Sequence, residues 1–254
     1  MTTFLRQLYE AMGSFSTATQ TGICRDLQAR VNSKGKKNLA RFFAEALEEN
    51  EPFSQTGTPF LPTTREKTEG RNPVVDVMMK SSPLGFTTPS GVSHEFTFLQ
   101  REVMHLRVDS LKEQKQKAWI DYVGASSQRP ILGEIKWKTD KNAFYAFIQL
   151  LTYLSEMATP HQVERAIRHQ LFGEKITAIT KFDLHILLVN FDFNERSKRV
   201  PLIQMTHELA RTFKARLNND YSKAAVCLGN VYCLAARIED GTSVFSDFRC
   251  LWQV

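Results

Sequence analysis

No run of about 18 consecutive apolar residues occurs in the chain, so nothing in it reads as a membrane-spanning helix. Its N-terminus, MTTFLRQLYEAMG, lacks the basic-then-apolar pattern of a secretory signal. The expectation is a soluble, cytoplasmic protein that engages no membrane. Gly-rich phosphate loops are missing too: there is no G-x-G-x-x-G and no G-K-[ST], which argues against nucleotide-driven activity in this chain. Any ATP-using motor, or any targeting function, would have to be a protein partner, and homo-oligomerisation stays open.

Cysteine is scarce as well. Cys24, Cys227, Cys233 and Cys250 are too few and too scattered for a disulfide scaffold, and they are expected to be reduced thiols buried as small apolar groups. His94, His105, His161, His185 and His207 show no H-x-x-x-H or similar spacing, so each reads as structural rather than as a metal ligand. With only 12 Gly and 9 Pro in 254 residues, 42% hydrophobic and 24% charged, the composition excludes a fibrous or disordered chain. The length suits one elaborated domain spanning residues 1 to 254. Lys plus Arg outnumber Asp plus Glu by 33 to 27, a net charge of +6, which mildly favours a polyanionic partner such as nucleic acid.

Residues 1 to 50 read as helices: FLRQLYEAM, CRDLQARV and then KKNLARFFAEALEE, in which Leu39, Phe42, Phe43, Ala46 and Leu47 recur at helical spacing. From about 51 to 93 the chain is dense in Pro, Gly, Ser and Thr, a loop-rich insertion with at most one strand or helical turn at VVDVMM. HEFTFLQREVMHLRVDS, KAWIDYVGA and RPILGEIKWK predict three strands of an antiparallel meander. A helix follows from about Lys141 to Met157, capped by Asp140 or Thr139, with Phe144, Phe147, Ile148, Leu151 and Leu154 facing the core. The basic helix HQVERAIRHQLF comes next, its Arg165, Arg168 and His169 either solvated or set against phosphate. The apolar run in KFDLHILLVNFDF predicts a buried strand that pairs parallel to a neighbour. A helix and strands over 202 to 254 end the chain, with Asp240-Gly241 as a hairpin turn.

The chemistry is concentrated between Asp121 and Tyr153. Asp121 lies on the second strand of the meander and Glu134 on the third, so hairpin pairing lets their carboxylates converge on one ion. Lys136, two residues beyond Glu134, projects from the same face, while Ile135 points the other way and its carbonyl is a further candidate ligand. Two or three convergent carboxylates are what a hard cation such as Mg2+ needs, and such an ion can activate water and neutralise charge in phosphodiester hydrolysis. Gln149 and Tyr153 lie four apart on one helical face, and Tyr145 and Lys141 continue that row as candidate substrate contacts.

The order Asp121, then Glu134-Ile135-Lys136, then Gln149 and Tyr153 resembles the D…ExK…Q-x-x-x-Y pattern of the PD-(D/E)xK nuclease superfamily, in its RecB-like and lambda-exonuclease-like branches. The resemblance spans about residues 36 to 193. It implies an α/β fold with a restriction-endonuclease-like core (helix, three-strand meander, helix, strand), N-terminal helices and added C-terminal strands. It also implies a deoxyribonuclease using Mg2+ or Mn2+, with Asp121 and Glu134 on the metal, Lys136 positioning the water, and Gln149 and Tyr153 addressing DNA. Ile120 stands where the family often has Pro. An upstream helix acid often completes such sites; by order Glu45 matches best, with Glu48, Glu49 and Glu95 as alternatives. Some RecB-like nucleases hold an iron–sulfur cluster on one Cys before the core and three after, but the open spacings of Cys227, Cys233 and Cys250 on expected strands argue against one here. The rival expectation is a nuclease-like module that binds nucleic acid or protein without cutting.

Overall fold

Apolar residues alternating at period two, bounded by turn residues, form strands, and those recurring at period 3.6 form helices that cover them. A computed structural model describes residues 3–31, 38–54, 73–104, 119–127, 129–137, 142–191, 200–239 and 242–254. These residues build a mixed α/β architecture of seven strands and eight helices. Three helices open it: α1 (Phe4–Met12), α2 (Thr17–Val31) and α3 (Leu39–Ser54). Then come α4 (Pro73–Ser81), β1 (Leu84–Thr87), β2 (Ser93–Met104), β3 (Trp119–Ala125) and β4 (Pro130–Trp137). The second half holds α5 (Ala143–Met157), α6 (Pro160–Arg168), β5 (Phe182–Val189), α7 (Val200–Asp220), α8 (Ser222–Ala225), β6 (Leu228–Ile238) and β7 (Phe245–Gln253).

The seven strands form one sheet in sequence order. β1 through β4 pair antiparallel, as the expected meander requires, and β5 pairs parallel to β4, as its unbroken apolar run predicts. β6 continues parallel and β7 returns antiparallel; the turn residues Asp240 and Gly241 lie outside the described residues. Helix α5 lies against β4 and β5, sandwiched by α1, α3 and α7. Its Phe144, Phe147, Ile148, Leu151 and Leu154 are fully buried. The helix starts later than expected, at Ala143, because the Asn142 side chain caps it by accepting the Tyr145 N–H at 3.1 Å.

One expectation fails. The segment from 51 to 93 contains more than one turn of structure: α4 occupies nine residues and β1 makes a hairpin with β2. Pro83 and the Thr-Pro-Ser-Gly turn masked that hairpin, because their chemistry reads the same in a loop. In β2, the simple alternation breaks at a register shift between Phe98 and Gln100, after which Val103 is buried. Residues 55–72 and 105–118 lie outside the described set.

The sheet face away from α5 carries a second core of Phe86, Phe96, Tyr122, His185 and Tyr232, and the sheet curls until Phe86 of β1 reaches Phe248 of β7, ring centroids 6.4 Å apart. His185 is held neutral there: burial, with His94 adding repulsion, lowers its pKa to about 3. A His that is neutral when folded and charged when unfolded stabilises above its ordinary pKa near 6.5 and loses that contribution as pH falls toward 3. His185→Leu is therefore expected to flatten the acid limb of the stability curve by up to about 1.4 kcal/mol per pH unit. Urea unfolding of both proteins between pH 4 and 7 checks this, and parallel limbs would refute it.

Candidate active site

β3 and β4 pair from Ala125 with Pro130 up to Tyr122 with Gly133, and there the ladder stops. At the next position the Asp121 carboxylate intervenes, accepting the Ile135 N–H at 2.7 Å. β4 stays straight because β5 holds it on the other side, with Glu134 level with Ile186 and Lys136 level with Leu188. The two antiparallel strands thus part at the two acids. Gly133 makes the local packing possible, since the Tyr122 ring lies across it and an added Cβ would sit 2.0 Å from that ring. Since the N–H and C=O of one extended residue project to the same side, the Ile135 carbonyl also faces the gap beside Asp121. Its side chain packs in the opposite core, as the sequence predicts.

Glu134 and Lys136 share the α5 face. The Lys136 ammonium donates to Glu134 Oε1 at 2.9 Å and to Gln149 Oε1 at 3.1 Å. Gln149 Nε2 donates to the Tyr153 hydroxyl at 2.5 Å, which donates to the Trp119 carbonyl at 3.2 Å. Lys136 also stands 4.7 Å above the Tyr145 ring. Five of the residues singled out in the sequence are therefore contiguous, Lys136, Glu134, Gln149, Tyr153 and Tyr145, and Asp121 adjoins them. Lys141 lies outside the described residues.

Glu45 stands apart. It is half-exposed and paired with Arg41 one helical turn away at 2.6 Å. Among the described residues no three His, Cys, Asp or Glu side chains group as metal ligands. The charge run on α3 is a solvated face, which is what such runs most often are. The four cysteines are buried free thiols, as expected, and burial pushes Cys24 and Cys227 up to about 12.

Only 3% of Glu134 and of Lys136 is exposed. Burial, then the neighbouring Asp121 charge, raises the Glu134 pKa well above the carboxylate range, against the pull of Lys136. Asp121 is raised mainly by burial and held down by Lys136 and the Ile135 N–H. The carboxyls lie within hydrogen-bonding reach of each other, and the raised pKa of Glu134 favours its neutral form, which can donate to Asp121 and leave one ammonium facing one carboxylate. Glu134 Oε2 is buried and accepts no hydrogen bond from the described residues. Asp183, also 4% exposed, shows the contrast: its Oδ1 accepts the Asn230 N–H at 2.7 Å and pairs with Arg129 at 3.3 Å. Asp183 is a satisfied structural acid, and Glu134 is not. Two carboxylates, one of them with an orphaned oxygen, beside a backbone carbonyl form an all-oxygen donor set that fits a hard divalent cation.

Two residues here were missed in the sequence. Tyr9 of α1 stacks on Tyr145 at 5.7 Å and brings its hydroxyl 3.5 Å from that of Tyr153. Its burial was visible in the amphipathic FLRQLYEAM, but its partners were not. Glu102 of β2 falls opposite Asp121, between the pairs Arg101 with Tyr122 and Val103 with Ile120. That position emerges only once the register is known. Clefts of about 450 and 360 Å³ open elsewhere, one beside His207 and Trp252 and one beside Glu48 and Cys227; neither is lined by Asp121, Glu134 or Lys136. Comparison with protein-family models, curated proteins and solved structures returned no match.

Removing Lys136 leaves two buried carboxylates without their cation, so Lys136→Met is expected to cost about 3 kcal/mol. Adding Glu134→Gln should restore most of that loss, with a coupling energy above about 1 kcal/mol. A urea double-mutant cycle measures it, and additive losses would show that the pair is not coupled.

Proposed function

We propose that the protein is a metal-dependent nuclease of the PD-(D/E)xK kind, built on a restriction-endonuclease-like core, that hydrolyses phosphodiester bonds in DNA with Mg2+ or Mn2+. The observation that carries this reading is the joining of Asp121, Glu134 and Lys136 where β3 and β4 part, with Glu134 Oε2 buried and unsatisfied. The order of elements agrees with it: the meander β2 to β4, the helix α5 and the parallel strand β5 follow in the sequence the core requires.

Asp121, Glu134 and the Ile135 carbonyl would hold the ion. When bound, a divalent ion supplies charge neutralisation at the phosphate and a more acidic water. Lys136 then acts as an ammonium: it donates to the attacking water, aligns it, and offsets charge on the phosphate oxygens as the bond to the leaving oxygen breaks. Gln149 fixes Lys136 through its Oε1 and is itself fixed by Tyr153 and the Trp119 carbonyl, so the ammonium is oriented before substrate arrives. Tyr145, half-buried, offers a phenolic donor to the DNA backbone, whereas the fully buried Tyr153 hydroxyl is committed to the Trp119 carbonyl. The net charge of +6 suits the same partner.

Incubation of the purified protein with linear, circular and single-stranded DNA, with and without Mg2+, tests the reading. The expected result is cleavage that requires the ion and falls on the order of 100-fold or more in Asp121→Asn and Glu134→Gln, whose shapes are conserved. Undiminished cleavage by both variants would sink the assignment. DNA binding without any cleavage by the wild type would select the non-cutting module instead.

A further inference from the structure

The buried carboxylate of Asp183 gathers more positive charge than it can balance. Arg129 in the turn before β4, Lys181 just ahead of β5 and Lys214 on α7 come to it from three separate segments. Arg129 pairs with Asp183 Oδ1 at 3.3 Å through one nitrogen, and its side chain is still 44% exposed. Lys214, half-buried, donates to the Asn230 side-chain carbonyl at 3.3 Å, so its ammonium is paired with an amide rather than a carboxylate. Burial lowers the Lys214 pKa, Asp183 pulls it back up, and Lys181 and Arg129 push it down again. Lys181 is exposed. Three cations thus surround one carboxylate that is already satisfied by Arg129 and the Asn230 N–H.

The cleft of about 450 Å³ adjoins this cluster, with Ser90, Gln204, His207, Trp252 and Gln253 in its wall. Two links tie them together. Gln253 Nε2 donates to the Tyr232 hydroxyl at 3.4 Å and Asn230 Nδ2 donates to the same oxygen at 2.9 Å, so the cleft wall and the amide that holds Lys214 share one phenol. His207 and Lys214 lie seven residues apart on α7, which puts them on one helical face about 10 Å apart along the axis. The chemistry of the cleft differs from that of the cluster. The His207 imidazole stacks on Trp252 at 13° with ring centroids 5.1 Å apart, and the Gln204 and Gln253 amides offer uncharged polar groups. Rings and amides of this kind stack on heterocyclic bases and read their edges. Lys and Arg donors beyond those a carboxylate uses are what hold a phosphate. A nucleotide carries both parts, and the cleft is of the size that small-molecule sites have.

We propose that the end of the sheet where β5 and β6 begin and β7 finishes is a nucleotide-binding site, taking the base in the cleft beside His207 and Gln253 and the phosphate on Lys214, Lys181 and Arg129. Side chains hold the phosphate here, so no Gly-rich loop is required. Asp183 orients the cations: it fixes Arg129 directly and Lys214 through Asn230. The site binds its nucleotide without cutting it, is separate from the cluster of Asp121, Glu134 and Lys136, and does not rest on the nuclease reading.

Calorimetric titration of the full chain with adenosine, guanosine, cytidine and uridine monophosphates tests it, in EDTA so that no divalent ion bridges protein and phosphate. The four nucleosides and inorganic phosphate are the comparison probes. At least one monophosphate should bind about 10-fold or more tightly than its nucleoside and than inorganic phosphate. Lys214→Gln and Lys181→Gln should each weaken that binding by about threefold or more, and the double variant by about 10-fold or more. His207→Ala should weaken it by about 10-fold while leaving inorganic phosphate within about twofold. Lys181 is exposed, so its variant keeps the fold, and thermal melting of each variant separates lost binding from lost stability. Absence of binding by all four monophosphates at about 5 mM, or undiminished binding in a folded double variant, would overturn the site. Equal affinity for the monophosphates and inorganic phosphate would overturn the placing of a base in the cleft.

Discussion

A lysine ammonium buried to 3% exposure, 2.9 Å from one carboxylate and close to a second, is the constraint on which the rest of the structure depends. Taking such charges out of water is costly, and the cost is met only where geometry and hydrogen bonds are supplied from several sides. Here β3 supplies Asp121 and the Trp119 carbonyl, β4 supplies Glu134 and Lys136, and α5 supplies Gln149, Tyr145 and Tyr153. No single element could hold the cluster, so its presence requires the strands to part at one residue and the helix to lie over that point.

Helix α5 meets this demand by being buried on nearly every side. Two of its polar residues inside the core are satisfied locally: Thr152 donates to the Ile148 carbonyl, Ser155 donates to the Thr152 carbonyl, and Asn50 of α3 reaches Ser155. Glu156 at its end takes the buried Arg6 of α1 at 3.5 Å. That ion pair and the stacking of Tyr9 on Tyr145 make α1 part of the wall behind the charged cluster rather than an appendage. A first helix outside any resemblance thus bears on the orientation of Lys136, through Tyr145.

What could be read in the sequence was whatever depends on near neighbours. The strand-forming residues around Ile120 to Val123, the apolar run of β5 and the helical spacing of Phe144 to Leu154 each follow from a few adjacent residues, and all three elements form as expected. The i, i+2 relation of Glu134 and Lys136 and the i, i+4 relation of Gln149 and Tyr153 also survive folding, since they are set by strand and helix geometry alone. What could not be read was register. Glu102 and Asp121 are 19 positions apart, and only the pairing of β2 with β3 across residues 105–118 brings them level. The surroundings of Glu45 were unreadable for the same reason: order along the chain does not show that it pairs with Arg41 one turn away at a half-exposed position of α3.

The two buried acids on the parallel strands show why burial alone does not mark function. Asp183 sits against Gly229, where a Cβ would come 2.2 Å from its Oδ1, so the chain has removed a side chain to let the carboxylate reach the Asn230 N–H. It is fitted and paired, near the start of β5, where Ile186, three residues further on, is level with Glu134. Around Glu134 the chain does the reverse: it sets a second acid beside the first and leaves an oxygen without a hydrogen-bond partner among the described residues. Folding alone favours the first arrangement, because replacing a buried charged group by an apolar one of similar volume is often neutral or stabilising. Around Glu134 the cost of burial is met by the Lys136 ammonium and by a carboxyl whose burial beside Asp121 favours its neutral form.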